Sequence, residues 1–139
     1  MIKYLLIIFI FSNQIWPNSV QYFDGNKAFS YLLSQCDIGP RYPGSIGQKE
    51  AKELYINHFR PLSDTLMVFE EKIINPYGLD TLRLYNIFSR FNVKSDNRIL
   101  LMAHWDTRPM ADLDPNEENR DKPILGANDG ASGVAVLMQ

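Results

Sequence analysis

The run Arg98-Ile99-Leu100-Leu101-Met102-Ala103 stops abruptly at His104, and Asp106 follows two residues later. A short segment that is apolar at nearly every position has the pattern of a strand buried on both faces, as in parallel sheets. Residues just past the carboxyl end of such a strand lie where open α/β sheets place their ligands. A polar loop comes next, and then Gly126-Ala127-Asn128-Asp129-Gly130-Ala131-Ser132-Gly133 opens a new apolar segment. The order predicts that His104, Asp106 and Asp129 converge on one crevice.

Ahead of this stretch the chain alternates helix and strand signals. Asp24 is placed to cap a helix whose apolar residues Phe29, Leu32 and Leu33 fall at helical spacing, and Gly39-Pro40 ends it. Arg41-Tyr42-Pro43-Gly44-Ser45 has the composition of a tight turn. A second helix is expected from Ser45 to Phe59, with Ala51, Leu54, Tyr55 and His58 on one stripe and Pro61 as its stop. Two strands follow, Leu66–Ile73 and Leu82–Phe91, joined by Asn75-Pro76-Tyr77-Gly78; a further turn at Lys94–Asn97 leads into the apolar run. The expected fold is α/β, a mixed β-sheet flanked by helices, with the helix after Asp129 packed on one face.

On an extended backbone His104 and Asp106 leave on the same face. An aspartate there can receive the ring N–H of the histidine or set its orientation, an arrangement common around metal ions. Asp129 adds a hard oxygen donor, and glycines at 126 and 130 permit the bend that aims it inward. One imidazole with carboxylates suits zinc, although a four-coordinate site requires more ligands than these. The plain alternatives stay open: His-x-Asp pairs are common structural features, and an aspartate before a helix is by default its N-cap.

Composition narrows the function classes. The 139 residues carry 14 basic and 16 acidic side chains, so no basic face for nucleic acid is expected. The loop from Thr107 to Leu125 holds Asp112, Asp114, Glu117, Glu118 and Asp121 against Arg108, Arg120 and Lys122. It reads either as a solvated acidic loop or as a rim that attracts a positively charged peptide amino terminus. Cys36 is the single cysteine, which excludes an internal disulfide and leaves a small core residue as the simple reading. His58 and Trp16 carry no functional expectation.

Residues 1–23 have the layout of a signal peptide: Lys3, a short apolar core from Tyr4 to Phe11, then polar residues. Secretion or export to the periplasm is expected, with an uncleaved membrane anchor as the alternative and no stable membrane association once the leader is removed. Mature structure should begin near Asp24. The closing segment Ala131–Gln139 has no capping glycine and no polar exit, so residues 24–139 read as the N-terminal part of a longer domain.

Taken together, Ala103-His104-Trp105-Asp106 and Gly126–Leu137 resemble the zinc-dependent exopeptidase family of bacterial aminopeptidases and glutaminyl-peptide cyclotransferases. Arg41-Tyr42-Pro43-Gly44-Ser45 and Thr107-Arg108-Pro109 look like the cyclotransferase branch. By that resemblance Asp129 is a metal ligand, bridging two zinc ions in aminopeptidases and binding one in cyclotransferases. His104 matches the ligand of the second zinc in the two-metal enzymes, and Asp106 the aspartate that supports it, a catalytic role. The paired glutamates, another aspartate and the last histidine of the family would lie beyond Gln139, so this stretch alone is expected to be inactive and poorly soluble.

The activity implied is conversion of an N-terminal glutamine of a peptide or protein to pyroglutamate, with release of ammonia. Zinc would polarise the γ-carboxamide, and a glutamate would pass a proton from the α-amine to the leaving ammonia. One alternative is an aminopeptidase that removes N-terminal residues. Another is a non-enzymatic binding ectodomain of the same fold, against which the joint presence of His104, Asp106 and Asp129 argues.

Overall fold

The computed structural model describes residues 22–76 and 78–139. The leader expected at residues 1–23, Trp16 included, lies outside them except for Tyr22 and Phe23, and so does Tyr77 of the hairpin turn. The first helix, α1, runs Gly25–Ile38, and the Asp24 carboxylate caps it by accepting from the amides of Asn26 and Lys27. Gly39, at φ 88°, ends it in a conformation that suits glycine. The second helix, α2, runs Ile46–Phe59 from a Ser45 cap whose hydroxyl accepts from the Gln48 amide.

Strands β1 (Thr65–Ile74) and β2 (Thr81–Arg90) form an antiparallel hairpin, with Thr65 opposite Arg90 and Ile74 opposite Thr81. A third helix, α3 (Ser132–Met138), closes the element order. Ala51 and Tyr55 of α2 meet Val134 and Met138 of α3 in the core, with Tyr31, Ile38, Leu54, Phe59, Ile87, Ala103 and Trp105 packed around them. Helix α3 therefore lies against α1 and α2 as well as the end of the apolar run.

Two expectations are corrected. Phe29 and Leu33 of α1 point outward, whereas Ala28 and Gln35 are buried. Gln35 has to reach both Tyr55 and the carbonyl of Ala131, and this turns α1 away from its most apolar stripe. The run 98–103 is not a buried strand either. Ile99, Leu100, Leu101 and Met102 are 88, 64, 70 and 80% exposed, and among the described residues no strand pairs with them. An all-apolar strand is covered only when sheet neighbours and layers on both faces enclose it. Here the sheet described consists of β1 and β2, and Ala103, at the end of the run, lies against Gly133 of α3.

Candidate functional site

The end of the apolar run and the loop before α3 do meet. Nε2 of His104 lies 2.8 Å from Oδ1 of Asp129, and both side chains stand open to solvent. On the other side of the ring, Nδ1 is 3.2 Å from the main-chain carbonyl of Asp106. The Asp106 carboxylate stays farther off, at 3.7 Å from the same nitrogen. Asp106 thus reaches the imidazole through its backbone rather than through its side chain.

This geometry has an electrostatic consequence. A carbonyl and a carboxylate oxygen only accept, so the ring donates to whichever of them faces its protonated nitrogen. A proton on Nε2 gives a hydrogen bond to Asp129, and a lone pair there stands beside the carboxylate as a second donor for a cation. Imidazole nitrogen and carboxylate oxygen are zinc donors in kind. In number they fall short of a shell, because among the described residues no group of three or more His, Cys, Asp and Glu could hold a metal ion.

The alternative role for Asp129 as a helix cap does not occur: α3 starts after Ala131 with no side-chain cap. Instead Asp129 sits at a kink within the turn Ala127–Ala131, at φ −92° and ψ 94°. Positive φ on both flanks, 64° at Gly126 and 108° at Gly130, makes that kink possible. Space is short as well. A Cβ on Gly130 would stand 3.2 Å from both the Asp106 carbonyl oxygen and Cε1 of His104, so glycine lets the two loops close on each other.

Underneath lies a polar network that the sequence did not disclose. Arg41 is fully buried, and among the described residues no carboxylate pairs with it. Its Nε donates to the Trp105 carbonyl, Nη1 to those of Gln35 and Gly39, and Nη2 to that of Gly126. The Arg41 amide donates to Oγ1 of Thr107 at 2.9 Å. A buried cation is tolerated when carbonyl dipoles replace its lost hydration in this way. Gln35, also fully buried, donates to the carbonyls of Tyr31 and Ala131 and accepts the Tyr55 hydroxyl at 2.8 Å.

Burial pushes the Tyr55 phenol up to about 12, with the Arg41 charge pulling slightly the other way. The Tyr55 ring packs edge-on against Trp105 at 5.5 Å, and Trp105 in turn donates its indole N–H to the Tyr85 carbonyl. A lone arginine in a turn and a glutamine on a helix are ordinary surface residues by type. Only their backbone partners, distant in sequence, reveal them.

The acidic loop is closed on itself. Ala111 donates to the Lys122 carbonyl at 2.8 Å and Ile124 to that of Arg108 at 3.1 Å. Arg108 pairs with Asp112, and Arg120 with Glu117, so much of its charge is satisfied locally. That is the behaviour of a solvated loop. His58 has a structural setting: Nε2 contacts the Met138 carbonyl at 2.9 Å, and the ring packs edge-on against Tyr31 and Phe59. Cys36 is a half-buried free thiol.

Residues 86–139, which contain both loops, match the sequence model of peptidase family M28. Over that stretch the chain is similar to this family. No curated protein matches it. Among solved structures, a leucine aminopeptidase precursor from Bacteroides thetaiotaomicron is 37% identical, with a TM-score of 0.79 over 86% of this chain and 41% of that one. Glutaminyl cyclase from Tannerella forsythia is 34% identical at TM-score 0.80, over 85% of this chain and 40% of its own. A Zn-dependent exopeptidase from Parabacteroides distasonis is 30% identical at TM-score 0.80, over 86% and 41%.

The chain therefore spans about two fifths of the length of the structures it matches. Its helices and hairpin follow the zinc exopeptidase-like α/β fold of those structures, as the sequence led one to expect.

Proposed function

We propose that the complete protein is a zinc-dependent glutaminyl-peptide cyclotransferase, exported by the leader at residues 1–23. The observation that carries this reading is the His104–Asp129 contact at 2.8 Å, in a stretch that matches the M28 family model and a chain similar to solved glutaminyl cyclases. Asp129 and, in a two-metal version, His104 are the residues of this chain that would hold zinc. Bound there, the ion supplies Lewis acidity toward a carboxamide or peptide carbonyl.

The roles left to the protein follow from the geometry. Asp106 fixes the ring of His104 through its carbonyl and keeps Nε2 directed at Asp129. In the reaction the α-amine nitrogen of an N-terminal glutamine bonds to its own side-chain carbonyl carbon. The C–N bond of the carboxamide breaks, and ammonia leaves with the proton taken from the amine. A peptide or protein amino terminus is the substrate class.

A second reading, an aminopeptidase, is favoured by the likeness to the leucine aminopeptidase precursor. Peptides beginning with glutamine separate the two. The full-length protein, zinc-loaded and without its leader, is incubated with such a peptide, and the products are weighed by mass spectrometry. An intact peptide lighter by one ammonia supports the cyclotransferase. Free glutamine with a shortened peptide replaces that reading with the aminopeptidase, and no product across several peptides overturns both.

A further inference from the structure

We propose that Arg41 is a positioning residue for this site, pinning together the two loops that carry His104 and Asp129. The proposal rests on the functional reading above for its catalytic consequence, but on geometry alone for the pinning. Trp105, whose carbonyl takes Nε at 3.1 Å, is the residue between His104 and Asp106. Gly126, whose carbonyl takes Nη2 at 3.0 Å, opens the turn that holds Asp129. One planar group therefore spans the peptide of each loop along a single edge.

The rest of Arg41 fixes that edge to the helical layer. Nη1 is held by the carbonyls of Gln35 and Gly39 at the C-terminal end of α1, and the main-chain N–H by Thr107. The Gly126 carbonyl also takes the Ala131 amide at 3.1 Å, which ties the pinned end of the turn to its far end. Arg41 touches neither His104 nor Asp129, so it acts through the loops rather than on a reacting atom.

Lysine cannot replace it. An ammonium is a compact charge on a flexible stem and cannot present a rigid fork to carbonyls on separate segments. A neutral side chain would leave several buried carbonyls without donors. The sequence motif around Arg41 thus has a use beyond its turn: it sets the separation of two donors that lie far away along the chain.

The test is R41K in the full-length protein, with folding, zinc affinity and kinetics measured separately. The expected result is a folded protein whose zinc affinity, read by competition with a chromophoric chelator, falls about 10- to 100-fold, the usual cost of losing a group that orients a ligand. The kcat should fall with it, while KM stays within about twofold because Arg41 contacts no substrate. Amide resonances of residues 126–131 in zinc-free protein should shift and broaden. Millimolar guanidinium should partly restore affinity to R41A, an outcome that a general loss of stability does not produce.

A folded R41K with wild-type zinc affinity and unmoved 126–131 resonances overturns the proposal. If R41K does not fold, T107V carries the test, since it deletes the acceptor of the Arg41 amide at nearly constant volume. A several-fold loss of zinc affinity supports the pin, and an unchanged affinity overturns it. Wild-type protein that neither binds zinc nor turns over peptides defeats the functional reading. The resonances of 126–131 in R41K then still decide whether Arg41 sets the loop.

Discussion

Replacing Gly126 by alanine tests whether the turn bearing Asp129 depends on its close approach to the strand-end loop. At φ 64° an alanine costs about 1–2 kcal/mol for the left-handed backbone alone. The new Cβ would also stand 2.5 Å from Cγ2 of Thr107 and 2.6 Å from the carbonyl oxygen of Asp129. One of those neighbours is main chain and cannot rotate away, so overpacking adds about 1–3 kcal/mol. The expected destabilisation is about 2–5 kcal/mol.

Gly39 provides the internal comparison. Its φ is also positive, 88°, yet an added Cβ there meets nothing within 4 Å. G39A should therefore cost only the backbone share, about 1–3 kcal/mol at φ 88° and ψ −159°, a region nearly confined to glycine. Urea unfolding of the two variants in zinc-free full-length protein gives the difference, provided that the slopes match wild type. Zinc affinity should fall in G126A and hold in G39A. A loss of zinc affinity in G39A as large as that in G126A would refute the claim that contact between the loops, rather than backbone conformation, disturbs the site.

Other predictions concern the buried phenol and the exposed pair. Tyr55 ionises at about 12 in the folded protein against about 10 when unfolded, so folding favours its neutral form. That contribution is fully present below pH 10 and is lost as pH rises through 12, a decline of about 3 kcal/mol that pH-dependent unfolding will show. Y55F should lack this alkaline decline. At neutral pH it should be less stable by about 1–3 kcal/mol, because the buried Gln35 Oε1 loses its donor. D129N should weaken zinc binding by about 100-fold or more in chelator competition. In zinc-free protein it should change stability by less than about 1 kcal/mol, as expected for an exposed pair.

Much of the local architecture was legible because it depends on neighbours in sequence. Asp24 caps the helix it was expected to cap, since a cap satisfies amides two or three residues away, and Ser45, expected as the first residue of its helix, caps it instead. The hairpin strands lie within a residue or so of their expected bounds. Glycines at 126 and 130 signalled the bend, and the convergence of His104 with Asp129 followed from their places at a strand end and a helix start. Asp106 was placed correctly beside the imidazole, but its carbonyl rather than its carboxylate makes the closer contact, a choice that side-chain alternation does not specify.

What the sequence determined by itself is therefore the two long helices, the hairpin and the glycine-flanked bend before α3. Those features are governed by backbone preference and short-range hydrogen bonding. Tertiary structure alone decided that α1 buries Gln35 while Phe29 faces solvent, and that Ile99 to Met102 stand uncovered. It alone decided that Arg41, read in the sequence as part of a turn motif, joins both site loops. Burial depends on which surfaces meet, and a buried polar group is held by carbonyls far from it along the chain. Residue type records neither, because the same arginine is as much at home in water as in a cage of peptide oxygens.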